Sequence, residues 1–125
     1  MLITVANVLA GLIGVGIIVI GLREIWVPQA AVGFGIPGTP ADDPVFHAWL
    51  SVKAVRDIAA GLFVFVLLVG ATSHLLGWFL LAAAVIPAGD ALIVLRSGGP
   101  KAIAYGVHAA TAAVMLVTGV LLFLG

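Results

Sequence analysis

Lys53, Arg56 and Asp57 stand at i, i+3 and i+4 within residues 45–70, a stretch otherwise apolar enough to cross a membrane. At that spacing they share one helix face. A charge near the middle of a spanning helix costs at least roughly 2.5–3.5 kcal/mol on insertion scales, so it is expected to face a partner or a site. Asp90 lies in a second apolar stretch, residues 75–95, and Tyr105 and His108 share a face of a third, residues 102–124. At about 1.5 Å per residue, Asp90 is roughly 9 Å from Arg96 and His108 roughly 10 Å from Lys101, while Arg56 and Asp57 sit roughly 15 Å or less from the start of their helix. All four side chains therefore fall at one depth and are expected to converge. Two carboxylates in different surroundings can divide into acid and base, and an imidazole beside them can orient or shuttle a proton. Asp57, Asp90, Arg56 and His108 are thus the candidate catalytic residues. Tyr105, Trp49 and Lys53 are candidate substrate-binding residues, with Lys53 near enough to the surface to reach it along its aliphatic stem.

Other chemistries fit poorly. The chain has no cysteine, which excludes thiolate catalysis and cysteine-based metal sites. Asp57, Asp90 and His108 lack a second nearby histidine, and neither H-E-x-x-H nor Glu-x-x-His occurs, so no metal is expected. Gly98-Gly99 is too short for a phosphate loop, and Ser51, Ser73 and Ser97 have no nucleophile setting. No cofactor is expected. Five basic residues against five acidic ones leave no excess for phosphate contacts, which argues against nucleic acid.

The elements that must position these groups follow from composition. Of 125 residues, 64% are hydrophobic and 8% charged, against about 25% charged in soluble domains, so an integral membrane protein is expected. Four spans are predicted in one all-α domain covering residues 1–125: about 2–22, 45–70, 75–95 and 102–124. The first is Gly-rich and closes at Arg23-Glu24; its Asn7 is expected to hydrogen-bond between helices, and its small face offers a surface for self-association. Trp26 and Pro28 then predict a short interfacial or re-entrant helix over residues 29–34. A Gly/Pro-rich loop follows, with Asp42 and Asp43 placed to cap the next helix. Thr72-Ser73-His74 marks a tight turn, and Pro87 frees the carbonyl of Ala83 one turn before Asp90. Lys and Arg concentrate around the first and third loops, which predicts a long first cytoplasmic loop and both termini on the non-cytoplasmic side.

Gly21-Leu-Arg23, Pro28-x-Ala-Ala, Gly33-Phe-Gly-Ile-Pro37, Arg56-Asp57-x-x-x-Gly61, Asp90 and His108 together resemble the small four-span membrane proteins of domain-of-unknown-function family 4267. That resemblance implies a fold and no chemistry. A second resemblance is of site composition alone: limonene-type soluble epoxide hydrolases, of unrelated fold, use an Asp-Arg-Asp constellation, and Arg56, Asp57 and Asp90 have those residue types. The function expected is acid-base chemistry on a small lipophilic substrate from the bilayer, most concretely epoxide hydrolysis or cyclisation. Two other classes remain open. One is a transporter, channel subunit or lipid-binding module using the same residues for protons or head groups; the other is a structural protein in which Arg56, Asp57 and Asp90 only neutralise one another. The expected partners are the lipid bilayer, a lipophilic small molecule and a second copy of the chain.

Overall fold

A computed structural model describes residues 1–125, and it is helical throughout, without strands. Helix α1 spans Leu2–Trp26 and α2 spans Pro44–Gly70. A 3₁₀ helix over Pro28–Phe34 joins them. Helices α3, Ser73–Ala83, and α4, Val85–Arg96, form one rod broken at Ala84. The last helix, α5, runs over Lys101–Leu124 with a π-helical segment at Ala104–Ala109. Three of these rods are long and apolar enough to cross a membrane: Leu2–Trp26, Ser73–Arg96 and Lys101–Leu124, with mean hydropathies of 2.5, 2.1 and 2.2. The chain is therefore an integral membrane protein. Helix α2 is as long but carries Lys53, Arg56 and Asp57.

Local chemistry sets the helix ends. Asp43 caps α2, its Oδ1 accepting from the Val45 N–H at 2.9 Å, with Pro44 at the first helical position. Thr72 caps α3 by accepting from Leu75 N at 3.2 Å. The 3₁₀ helix stops at Gly35, whose φ of +104° is a left-handed conformation that favours glycine. Pro87 removes the donor that would bond Ala83, and the rod breaks at the neighbouring Ala84. Helix α1 runs past its expected end at residue 22 to Trp26, because nothing from Arg23 to Trp26 interrupts a helix before Pro28.

The rods pack as two antiparallel pairs. In α1 and α2, small residues seven apart face each other: a Cβ on Gly21 would lie 2.8 Å from the Ala54 carbonyl oxygen, and one on Gly61 2.6 Å from that of Gly14. Backbones this close admit no larger side chain. The second pair meets at Gly77 and Gly119, each backing onto the other's carbonyl. Between the pairs, Ala6, Ala10, Val64, Leu76, Leu80, Ala84, Met115 and Leu122 form a buried core toward the end that holds the 71–72 turn and both termini. Asn7 takes no part: it lies on the exposed side of α1 rather than between helices, because Ala6 and Ala10 occupy the packed face. At the other end the pairs diverge, and the 3₁₀ helix and its loop lie across the gap, with Gly35 seated on Val94, Ile103 and Gly99.

Candidate functional site

The gap holds two cavities. The first, of about 150 Å³, lies between the pairs and has walls of Ile17, Ile20, Val64, Phe79, Ile86 and Met115. Its polar end is made of Lys53, Asp57, Asp90, His108 and Thr111. The second, of about 260 Å³, lies under the loop and is lined by Glu24, Ala31, Phe34, Ile36, Thr39, Phe46, Leu50, Lys53, Asp90 and Ile93. Phe34, Lys53 and Asp90 belong to both.

Lys53 is the centre of the site. Its Nζ donates to Glu24 Oε1 at 2.7 Å and to Asp57 Oδ2 at 2.8 Å, the only two ion pairs in the chain. It also lies 5.4 Å from the centre of the Phe34 ring, within reach of a cation–π attraction. Glu24 is 93% buried as a residue; its Oε1 is taken by Lys53, and its Oε2 is buried without a hydrogen-bond partner. Asp90 faces both cavities and makes no ion pair.

His108 is fixed from the loop. Its Nε2 lies 2.8 Å from the Phe34 carbonyl oxygen, and its ring leans on the Phe34 ring with centroids 4.3 Å apart. A carbonyl only accepts, so Nε2 carries the proton; in the neutral ring Nδ1 is then the basic nitrogen. The bond also satisfies a terminal carbonyl of the 3₁₀ helix, one of the groups such an end leaves open. The π turn around His108 carries one residue more per turn, a departure that often accompanies functional sites.

Of the sequence-predicted residues, the structure brings together Asp57, Asp90, His108 and Lys53. It does not bring in the other three. Arg56 is exposed on the outer side of α2, its guanidinium donating to the Val52 carbonyl of its own helix at 3.1 Å. Asp57 turns toward Lys53 one helical turn away, and the single-residue step of about 100° carries Arg56 out of the cavity. Lys53, expected to reach for the surface, is held inward by its two carboxylates. Trp49 is 70% exposed and Tyr105 59%, and neither belongs to the wall of either cavity. Sequence reasoning missed Glu24 and Phe34. A signal for Glu24 existed: the antiparallel register that pairs Gly14 with Gly61 and Gly21 with Ala54 brings Glu24 opposite Ser51, within side-chain reach of Lys53 two residues on. No comparable signal marked Phe34, whose contacts depend on how the loop folds back.

A family model described as Domain of unknown function (DUF4267) matches residues 14–122. The chain belongs to this family. The match takes in every cavity-lining residue of this DUF4267 protein, as the resemblance of its Arg-Asp and Phe-Gly-Ile-Pro segments implied. Comparisons of the DUF4267 chain with curated proteins and with solved structures find no match.

Proposed function

We propose that this DUF4267 protein is a four-span membrane enzyme performing acid-base chemistry on a small lipophilic substrate, most concretely the opening of an epoxide. The observation that supports it is the first cavity: apolar walls ending in Lys53, Asp57, Asp90 and His108. Partly exposed Ile20, Ile86 and Val107 lie at its margin and suit access for an apolar substrate from lipid. In this reading α2 is the fourth span, the loop and the 3₁₀ helix lie at the cytoplasmic interface, and both termini lie on the opposite side.

Lys53 takes the acid's part, which the sequence suggested for one of the two aspartates. Asp57 and Glu24 keep it cationic and aim an N–H at the epoxide oxygen. Asp90, with no ion pair, is the base. As a water oxygen attacks the ring carbon, Asp90 takes the water's proton, the carbon–oxygen bond breaks, and the oxygen takes a proton from Lys53. Returning the proton from Asp90 to Lys53, with His108 Nδ1 as relay, restores the resting state and releases a diol. In cyclisation a hydroxyl of the substrate replaces the water. General acid-base groups contribute typically 10²–10⁴-fold. Asp90→Asn and Lys53→Met proteins that remain folded should each lose about 100-fold or more of the diol formed from a lipophilic epoxide, quantified by gas chromatography; turnover at the parental rate in either would sink the assignment.

One observation favours a second reading, transport. The two cavities lie on either side of Phe34, Lys53 and Asp90, so a side-chain movement there would open a path for a proton or a polar head group. Flux into proteoliposomes that depends on Asp57 and leaves the solute chemically unchanged would favour it.

A further inference from the structure

The enzyme reading uses the first cavity and leaves the loop-side one without a role. Its wall includes Glu24, a side chain 92% buried whose Oε2 has no hydrogen-bond partner. A buried carboxylate oxygen with no donor is costly, and such an atom in a native fold needs a reason. Asp90, also unpaired, lines the same cavity. The charges around the two cavities are unequal: Glu24, Asp57 and Asp90 face one ammonium, that of Lys53. An anionic ligand would meet this excess head on, whereas a cation would offset it.

The rest of the wall indicates the kind of cation. Ala31, Ile36, Leu50 and Ile93 suit a hydrocarbon body, and Phe34 and Phe46 offer aromatic rings, the first already beside the Lys53 ammonium. His, Asp and Glu side chains do not gather in threes as a metal ion would require. We propose that the loop-side cavity binds an organic ammonium, with the Glu24 and Asp90 carboxylates turning to accept its N–H bonds and the two rings flanking its charge. The hydrocarbon part lies along Leu50 and Ile93. Access is from the loop side, past Thr39. The proposal does not depend on the enzyme reading, since its test reads binding and not turnover.

The test uses the protein in lipid nanodiscs, with empty nanodiscs as the blank, titrated calorimetrically with n-hexylammonium chloride and with 1-hexanol. Hexylammonium should bind saturably, one per chain, and at least tenfold tighter than hexanol. Glu24→Gln should weaken it about tenfold or more, as expected for losing a hydrogen bond to a charged group. If that variant does not fold, Asp90→Asn carries the same expectation. Equal affinity for the alcohol, no saturable binding of the ammonium, or full displacement by equimolar sodium would each overturn the proposal.

Discussion

At the scale of single residues, Lys53 and Arg56 exchange the parts that depth alone suggested. Counting residues from the helix start places Arg56 deeper, yet depth does not say which way a side chain points. Orientation was decided by Glu24, which holds Lys53 from the neighbouring helix. Lys53→Met leaves two carboxylates without their cation and should cost roughly 2 kcal/mol, between the values for exposed and buried pairs. Arg56→Met removes an exposed group bonded only to its own helix and should change stability by less than about 0.5 kcal/mol. Thermal unfolding in one detergent checks the order, and equal losses would contradict the placement of Lys53 at the centre. Asp57, Asp90 and His108 were legible because intramembrane polar groups must converge. Glu24 was hidden by its position beside Arg23, where it reads as an ordinary interfacial charge.

Among elements, helix existence was the most legible property and the irregularities inside helices the least. Hydropathy placed four long helices within a few residues of their observed ends, and Pro28 and Asp43 marked two starts where they occur. Pro87 implied a freed Ala83 carbonyl but not a rod broken at Ala84, and the π turn at Ala104–Ala109 has no composition signal. Glycines also divide by surroundings. A methyl at Gly61 would press on the Gly14 carbonyl, so Gly61→Ala should destabilise by about 1–3 kcal/mol. Gly106 has open space around it, and Gly106→Ala should be neutral or stabilising by up to about 1 kcal/mol. Denaturation midpoints of the two variants measure the contrast; a Gly61→Ala protein as stable as the parent would mean the α1–α2 approach is looser than described.

At the scale of the whole molecule, the absence of cysteine makes the proposed four-span arrangement directly testable. Single cysteines at Thr39 and Ser97 should react with an impermeant maleimide from one side of an oriented vesicle, and a cysteine at Ala71 only from the other. Labelling of all three from one side would exclude four crossings. Membership of the family, the helical architecture and a cavity under the loop were legible in the chain, but the outlines of the two cavities were not, because they form where the helix pairs fail to meet. The pairing of rods also has a consequence for assembly. Each pair is closed by its own glycine contacts, and only residues 71 and 72 join α2 to α3. Halves that complete their tightest contacts internally behave as separate building blocks. A gene divided after Ala71 should therefore yield two fragments that insert independently and co-purify when expressed together, with a tag on one recovering the other. Recovery of the tagged fragment alone would show that the link between the pairs, rather than the core they share, holds the molecule together.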